Sequence, residues 1–404
     1  MRRAPAYPMN ALVVHYHEVG LKGRNRQFFE DVLARNLRRA LRGTGYGRVR
    51  RGFGRITIDL GEGALVDEAA RRAARVFGIA YVGVGWRVAQ DLEAIKDAAL
   101  ELLRARPFGS FAVRARRSYA RLEEKSHAIN VAVGQHLVDA TGAPVDLRNP
   151  DATIRVELFG TTCVVYRDRL EGPGGLPAGT SGRMLALVSG GIDSPVAAWR
   201  MARRGATVDL LHFHGQPYTD PSSVRQVSDI ARVLALYALR TTVHLVPLAD
   251  AQQEIAVAAP PALRIVLYRR MMMRIGAALA REQGAQALVL GDSLGQVASQ
   301  TIENIAAVDS AIDGIEVLRP LIGMDKLEIV ELAERIGSFE VSSRRYQDCC
   351  VLFEPRSPTT RARPQDVAAA EASLDVDGLV GKALAAVERR GVELPPPEEA
   401  ISRR

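Results

Sequence analysis

The stretch whose residue types most clearly predict chemistry is the glycine turn Ser189-Gly-Gly-Ile-Asp-Ser194. Backbone N–H groups in such a turn converge on an anion when a helix follows, and the helix dipole favours negative charge there. Two glycines allow a phosphate to come close to the backbone, and Ser189 and Ser194 add hydroxyl donors. Asp193 would repel an anion, so we assign it to Mg²⁺ or to orienting the loop. The turn therefore predicts a phosphate site.

A second chemical signal is the adjacent pair Cys349 and Cys350, because the only other cysteine in the chain is Cys163. Three cysteines are too few for a disulfide framework and lack zinc-site spacing. Without a Cys-x-x-Cys pair, a cysteine-ligated iron–sulfur cluster is also disfavoured. Arg344 or Arg345 would favour a thiolate nearby. The pair is interpreted as a nucleophile, and the alternative is a buried pair that merely fills space.

The elements around the glycine turn must place its donors. Leu185–Val188 form an apolar run typical of a buried parallel strand, and Pro195 suits the first turn of the helix that follows. Further on, strands and helices alternate, which predicts a doubly wound parallel sheet. Ligands of such sheets bind outside the carboxyl ends of the strands. That rule places Ser189–Ser194, His212–Phe213 and Gly291–Gln300 around one crevice.

The N-terminal part carries the positive charge of the protein. Residues 1–168 contain 28 Lys and Arg against 18 Asp and Glu, whereas the remainder contains 26 against 28. A polyanionic partner follows, although an Arg-rich soluble surface would give the same count. Strands and helices mix here in an α+β pattern. Basic residues concentrate in the loop Glu18–Arg26 and at Arg114, Arg116, Arg117 and Lys125.

Composition limits the class of protein. Hydrophobic residues make up 47% of the chain, enough for buried cores, but no apolar stretch is long enough to span a bilayer. The first ten residues lack the apolar core of a signal peptide. We therefore expect a cytoplasmic protein that does not enter a membrane. Seven glycines and prolines in Gly172–Gly182 predict a linker between domains.

Several motifs carry a resemblance to known families. The turn Ser189–Ser194 resembles the pyrophosphate-binding loop of ATP pyrophosphatases and lacks the lysine of a Walker loop. The loop Glu18–Arg26 resembles the entry loop of tRNA 4-thiouridine synthetases. Three further segments resemble the THUMP domain of that family, an RNA-binding module: residues 76–79, 111–117 and 145–151.

The resemblance covers about residues 9–360 and implies a multidomain α/β and α+β architecture. The expected parts are an N-terminal ferredoxin-like domain (1–60), a THUMP domain (61–168), a Gly/Pro linker (169–183), a PP-loop ATP pyrophosphatase domain (184–360) and a C-terminal helical tail (361–404). We expect no C-terminal rhodanese-like domain, which some members carry. A role in sulfur supply for thiamine thiazole is therefore in doubt.

The resemblance also implies a reaction, namely ATP-dependent sulfur transfer to uridine 8 of tRNA. The product is 4-thiouridine, made through an adenylated uracil and a cysteine persulfide, with ATP and Mg²⁺ required and AMP and pyrophosphate released. The implied partners are tRNA and a cysteine desulfurase as sulfur donor, and a homodimer is allowed. Two alternatives stay open: another adenylating PP-loop enzyme that modifies tRNA without need of the cysteines, or a non-catalytic THUMP protein that binds RNA.

Candidate site residues follow from these matches. We expect the persulfide on Cys350, with Cys349 as second candidate, and catalytic roles for Asp193 and Lys326. Lys326, at a helix start, could neutralise charge on the transferred group, or be a solvated surface lysine. The ATP site is expected to comprise Leu187, Val188, Ser189, Gly190, Gly191, Asp193, Ser194, His212, Phe213, Arg269, Gly291 and Gln300. The tRNA site is expected to comprise Lys22, Arg24, Arg26, Arg114, Arg116, Arg117 and Lys125.

Two of these residues, Arg269 and His212, have a purely structural alternative, and so do Arg270 and Asn304 nearby. Arg269 and its neighbour Arg270 lie in a helix beside methionines, so each needs an anion, either a phosphate or a structural aspartate. His212 is either a ligand or a histidine satisfied by its neighbours. Asn304, four residues beyond Gln300, could serve only to brace it.

Overall fold

The computed structural model describes residues 10–52, 54–345 and 358–397. The chain forms two compact units, Met1–Pro177 with Pro396–Arg404, and Ala178–Pro395. The boundary between them, at Pro177 and Ala178, falls inside the predicted linker. Among the described residues, no helix has the length and apolar character needed to cross a membrane.

The first unit is built on a seven-stranded sheet with the strand order β2-β3-β1-β4-β7-β6-β5. Its neighbouring strands are antiparallel except β5 and β6, which are parallel. The elements are β1 (Ala11–His15), α1 (Arg26–Ala40), β2 (Tyr46–Gly52), β3 (Arg55–Leu60), α2 (Val66–Arg75), β4 (Tyr81–Val88), α3 (Leu92–Arg104), β5 (Phe111–Ser118), α4 (Ser126–Thr141), β6 (Ala152–Phe159) and β7 (Thr162–Glu171).

A buried carboxylate joins strands from both halves of this sheet. Glu157 on β6 accepts hydrogen bonds from His15 on β1, Arg55 on β3 and Tyr166 on β7, at 2.8, 2.6 and 2.6 Å. Burial alone would raise the pKa of Glu157, but these donors lower it. Because β1 and β3 precede residue 61 and β6 and β7 follow it, the sheet is continuous across the predicted domain boundary.

The glycine- and proline-rich stretch is partly ordered by close backbone packing. Gly172 N–H donates to the Ala80 carbonyl and Gly174 N–H to the Ile79 carbonyl, each at 2.8 Å. A Cβ on Gly172 would lie 2.3 Å from the Ile79 carbonyl oxygen. The first part of the predicted linker therefore packs in the first unit, because glycine permits a close approach there.

The second unit is a doubly wound α/β domain, which confirms the predicted fold class. Its six-stranded sheet has the order β12-β11-β8-β9-β10-β13, and the first five strands are parallel. The elements are β8 (Arg183–Leu187), α5 (Asp193–Arg203), β9 (Thr207–His214), α6 (Ser222–Ala238), β10 (Arg240–Pro247), α7 (Ala249–Ala258), α8 (Arg264–Glu282), β11 (Ala287–Val289), α9 (Ile302–Asp309), β12 (Glu316–Leu318), α10 (Lys326–Ile336), α11 (Phe339–Ser342), α12 (Pro364–Glu371), α13 (Val376–Ala385) and β13 (Glu388–Glu393).

The C-terminal segment differs from the helical tail predicted for residues 361–404. Its described residues, as far as Pro397, contain two helices followed by β13, which pairs antiparallel with β10 and extends the sheet. Four of the six residues of β13 are charged, so it lacks the alternating apolar pattern of a strand. Charged residues are tolerated there because β13 is an edge strand. Pairing with β10 decides its structure.

Candidate functional site

The glycine turn lies between the carboxyl end of β8 and the first residue of α5, as the sequence predicts. Ser189 N–H donates to Ser194 Oγ at 3.0 Å, and Gly191 N–H donates to Ser189 Oγ at 3.3 Å. Gly291 presses against this turn, since a Cβ there would lie 2.7 Å from Ser194 Cα. The hydroxyls of Ser189 and Ser194 therefore bind backbone N–H groups of the turn, and the absence of a side chain at Gly291 leaves space for it.

A cavity of about 470 Å³ opens beside the turn, within the size range of small-molecule sites. All residues of the predicted ATP site line it except Gly190, whose carbonyl accepts a hydrogen bond from Gln226. The cavity thus brings together segments from the ends of β8, β9 and β11 and from α8. Its apolar side is formed by α8 and β9 residues, among them Phe213, Ile265, Val266, Met272 and Met273.

Asp193 lies at the polar end of the cavity with a donor on each carboxylate oxygen. Lys326 Nζ is 2.6 Å from Asp193 Oδ1, and Gln296 Nε2 is 2.8 Å from Oδ2. Lys326 is the first residue of α10, fixed there by a capping box between Asp325 and Glu328. Gln296 was not identified from the sequence. These contacts orient the turn and place one cation beside it.

The side chains around Asp193 show how the predicted Mg²⁺ could be held. Within the described residues, no group of three or more acidic, histidine or cysteine side chains could hold a metal ion. Asp193 and Asp292 are the acidic residues among the described residues that line the cavity. Both oxygens of Asp193 already accept hydrogen bonds, and Asp292 is bound by two arginines. Mg²⁺ commonly binds through one or two carboxylates together with substrate phosphates. The residues therefore fit an ion held mainly by nucleotide phosphates, with Asp193 as its protein ligand.

Arg269 is paired with an aspartate in this structure. Its guanidinium donates to both carboxylate oxygens of Asp292, at 2.7 and 2.8 Å, and to the Ser299 carbonyl at 2.9 Å. Arg319 donates to Asp292 at 2.9 Å and also binds Asp309. Arg269 is thus paired with a structural aspartate, the alternative to a phosphate, and its side chain also lines the cavity. Asp292 was missed by sequence reasoning, although it directly follows Gly291.

Two further candidates, His212 and Asn304, form hydrogen bonds with neighbouring groups of the fold. His212 is 2% exposed, with Nδ1 2.9 Å from the Val188 carbonyl and Nε2 3.2 Å from Ser223 Oγ. Because a carbonyl only accepts, Nδ1 carries the proton. Asn304 does not bind Gln300: its amide nitrogen donates to the Ala298 and Thr359 carbonyls at 2.8 Å. Both side chains therefore hold the cavity walls.

Arg270, the neighbour of Arg269, also has a structural partner. Its guanidinium donates to Glu371 on α12 at 2.8 Å, and Arg274 binds the same carboxylate. Burial alone would raise the pKa of Glu371, but the hydrogen bonds from the two arginines lower it to about 2. This ion pair fastens the C-terminal segment to α8.

Cys349 and Cys350 lie outside the described residues. On the C-terminal side, the described chain resumes at Pro358, and both Pro358 and Thr359 line the cavity. The third cysteine, Cys163, is fully buried in the first unit, and burial raises its pKa to about 12. A thiol with that pKa is no nucleophile at neutral pH.

The predicted tRNA residues are on two segments of the first unit. At the start of α1, Arg26 binds Glu30 at 2.6 Å, while Lys22 lies 3.6 Å from Glu18 and over the Phe29 ring. Arg24 is exposed. These residues form a compact basic turn.

The second segment is β5 with the loop that follows it. Arg114 donates to the Leu147 carbonyl at 2.6 Å, and Arg117 donates to the carbonyls of Ala120 and Leu122. Arg116 and Lys125 are exposed. Arg114 and Arg117 therefore shape the surface, and Arg116 and Lys125 extend from it.

The fold and the site define a class of protein: a PP-loop α/β domain with a nucleotide-sized cavity at its glycine turn, joined to ferredoxin-like and THUMP domains. Family models match in the same order. The ThiI ferredoxin-like domain matches residues 11–83, the THUMP domain residues 89–168, and the model described as "Thiamine biosynthesis protein (ThiI)" residues 179–376. The ferredoxin-like match thus extends past residue 60, consistent with the continuous sheet.

Individual proteins give the same result. A probable tRNA sulfurtransferase of Moorella thermoacetica is 42% identical over 384 residues, 95% of this chain and 98% of its own. One of Thermus thermophilus is 44% identical over 373 residues, 92% of this chain and 91% of its own. A crystal structure of a 4-thiouridine synthetase–RNA complex with bound ATP matches with a TM-score of 0.86 and 36% identity, covering 96% of this chain and all of that one. This chain belongs to the tRNA sulfurtransferase (ThiI) family of enzymes, which confirms the predicted resemblance.

Proposed function

We propose that this enzyme uses ATP to convert uridine 8 of tRNA into 4-thiouridine. The observation that carries the proposal is the cavity beside Ser189–Ser194, which joins an anion-binding turn to an apolar wall and a lysine. A similar solved protein is described as a 4-thiouridine synthetase with RNA and ATP bound. The alternatives of a non-catalytic protein or a different modification lack such support.

ATP would bind with its triphosphate at the turn and its adenine against the apolar wall. Backbone N–H groups of the turn and the N-terminus of α5 favour the phosphates. Phe213 and the methionines of α8 suit a planar, largely apolar base. Arg269 would keep its bond to Asp292 and contribute positive charge to the cavity wall. Mg²⁺, bound with the nucleotide, would lower the charge of the phosphates.

The first chemical step would activate the uracil. Its O4 would attack the α-phosphorus of ATP, the bond to the β-phosphate oxygen would break, and pyrophosphate would leave. Lys326 beside Asp193 would stabilise the negative charge that develops on the transferred phosphoryl group. Adenylation converts a poor leaving oxygen into AMP.

The second step would transfer sulfur. We place a persulfide on Cys350, with Cys349 as the second candidate, supplied by a cysteine desulfurase. Its outer sulfur would attack C4 and AMP would depart with the former O4. A partner thiol would then cleave the sulfur–sulfur bond, leaving 4-thiouridine and a disulfide, which a dithiol reductant reduces to the two thiols. The position of Pro358 and Thr359 in the cavity wall supports this assignment.

The basic first unit would bind the tRNA. Structured RNA is recognised mainly through its shape and phosphates, which suits the arginine and lysine side chains of the turn before α1 and of β5. The predicted residues are Lys22, Arg24, Arg26, Arg114, Arg116, Arg117 and Lys125.

The test is a reaction of purified enzyme with unmodified tRNA, ATP, Mg²⁺, cysteine, a cysteine desulfurase and a dithiol reductant. We expect AMP and pyrophosphate, with 4-thiouridine at position 8 by mass spectrometry of tRNA fragments. Cys350→Ser should abolish the product, whereas Cys163→Ser, which changes a buried thiol of the first unit, should retain activity. Formation of ADP and phosphate, or full activity of Cys350→Ser together with Cys349→Ser, would refute the proposal.

A further inference from the structure

Helix α6 presents three polar residues at intervals of three along one face: Ser223, Gln226 and Asp229. Residues three apart on a helix are neighbours. Ser223 and Gln226 are almost fully buried, at 1% and 4% exposure. Buried polar side chains in a helix need specific partners, so each of these identifies a contact that the fold maintains.

The first of the three, Ser223, supports the strand end that leads into the glycine turn. Its hydroxyl contacts His212 Nε2 at 3.2 Å, and His212 Nδ1 donates to the Val188 carbonyl at 2.9 Å. This chain of contacts fixes the carbonyl immediately before Ser189. The start of the turn is therefore held from α6.

The central residue, Gln226, contacts two separate parts of the domain with one amide group. Its Nε2 donates to the Gly190 carbonyl at 2.8 Å, in the middle of the glycine turn. The same nitrogen lies 3.5 Å from the carbonyls of Ser342 and Arg344. An amide nitrogen has two hydrogens, so one can serve Gly190 and the other the pair of carbonyls at the end of α11.

The third residue, Asp229, contacts the same end of α11 through the side chain of Arg344. Its carboxylate accepts a hydrogen bond from the Arg344 guanidinium at 2.8 Å. Arg344 is thus bound to α6 through its backbone and its side chain. It lies five positions before Cys349 in the sequence.

We propose that Gln226 is a positioning residue that couples the nucleotide turn to the segment leading to the sulfur-carrying cysteine. The inference rests on the proposed function, since it assumes that Cys350 or Cys349 carries the sulfur. Gln226 sets the distance between Gly190, in the nucleotide turn, and the end of α11 at Ser342 and Arg344, which precedes the cysteines in the chain. Loss of the Gln226 amide leaves the adenylation of uracil unaffected, but it misaligns the persulfide with the adenylated uracil.

Misalignment has a distinct chemical signature. An adenylated uracil that the persulfide does not reach is attacked by water, which returns uridine and releases AMP. The ratio of AMP to 4-thiouridine therefore rises when the two steps are uncoupled. A merely less stable or less abundant enzyme makes both products more slowly and keeps the ratio unchanged.

The experiment compares Gln226→Leu with the wild-type enzyme by measuring AMP and 4-thiouridine in the same reaction. We expect the ratio to rise about tenfold or more, because small misplacements of reacting groups are costly, with ATP affinity within about threefold. Gln252→Leu is the matched control, since Gln252 is also fully buried in this unit but lies on α7 and does not line the cavity. Its ratio should equal that of wild type.

A second variant keeps the inference testable if Gln226→Leu does not fold. Asp229→Ala removes a partly exposed ion pair with Arg344 and should raise the ratio in the same direction by a smaller factor. An unchanged ratio in a folded Gln226→Leu, or in Asp229→Ala where the first variant does not fold, would overturn the inference. Failure of the proposed function is distinguishable, because an enzyme with both Cys350→Ser and Cys349→Ser, and no other change, would then still make 4-thiouridine.

Discussion

Lys326 Nζ lies 2.6 Å from Asp193 Oδ1, so the first residue of α10 is bound to the first residue of α5. The two residues are 133 positions apart in the chain. Asp193 is mostly buried, while Lys326 is about half-exposed, with side-chain exposures of 19% and 46%. The carboxylate therefore directs the ammonium group of a partly solvated lysine towards the glycine turn.

Lys326→Met should slow the chemical step more than it weakens ATP binding. Removing a group that stabilises transition-state charge typically costs about 10²–10³ in kcat. Single-turnover formation of 4-thiouridine measures this effect, and ATP binding is measured separately. Lys382→Met, which removes an exposed lysine of α13, is the control and should behave as wild type. Activity of Lys326→Met within about threefold of wild type would contradict a catalytic role.

Gly291→Ala should disrupt the nucleotide turn. The added Cβ would lie 2.7 Å from Ser194 Cα and 2.8 Å from Ser194 N, so the start of α5 must move. Overpacking of this kind costs about 1–3 kcal/mol of stability, and ATP affinity should fall with it. Calorimetric ATP titration and urea unfolding give the two values.

The matched control for Gly291 is Gly381→Ala in α13, where an added Cβ meets nothing within 4 Å. Alanine is the better helix former by about 0.8–1.0 kcal/mol, so this variant should be slightly more stable and bind ATP normally. Equal ATP affinity in both alanine variants would show that Gly291 is not required for space.

Asp292→Asn should destabilise the second unit strongly. Asp292 is 5% exposed and accepts hydrogen bonds from both Arg269 and Arg319. Breaking a buried ion pair by removing one partner costs about 3–5 kcal/mol, since charge stays buried without compensation. Asp209→Asn is the control: Asp209 is equally buried, but its partner Arg183 is 43% exposed and can be solvated. Urea unfolding should give a clearly smaller loss of stability for Asp209→Asn; equal losses would argue against the buried network.

The ion pairs of Glu371 predict a defined pH dependence of stability. Its pKa is about 2 in the folded protein against an ordinary value of 4.5. A lowered folded pKa means that the ionised carboxylate adds stability above pH 4.5, and that this contribution disappears as the pH falls towards 2. A shift of this size corresponds to about 3 kcal/mol, and screening by solvent at a half-buried carboxyl reduces the contribution to the order of 2 kcal/mol. The difference in unfolding free energy between wild type and Glu371→Gln should shrink from pH 6 to pH 2.5; a constant difference would be inconsistent with this pair.

Arg116 and Lys125 should contribute to tRNA binding by neutralising phosphates. Each alanine variant should weaken binding and reduce the slope of log K against log salt by about 0.7–0.9 for each phosphate that is no longer neutralised. Lys382→Ala removes the same charge from the second unit and should leave the slope unchanged. Filter binding over a salt series provides the measurement, and slopes equal to wild type in both variants would place the RNA elsewhere.

The residues near one another in sequence determined the fold class and the location of the cavity. An apolar strand, a glycine turn and a proline-started helix are local signals, and the rule for parallel sheets then places ligands at the strand ends. For that reason His212, Phe213, Gly291 and Gln300 were expected beside Ser189–Ser194, where the structure has them.

Partners that lie far apart in the chain were decided only by the tertiary structure. Nothing in the sequence chose between a phosphate and an aspartate for Arg269; the fold supplies Asp292, 23 positions away. In the sequence, Gln226 is an ordinary polar residue of a helix. Only the packing of the domain places Gly190 and Arg344 next to it. The charged strand β13 likewise exists because β10 offers an unpaired edge. Periodicity reports which face of an element is buried, whereas the identity of a buried polar partner depends on contacts that only the assembled fold creates.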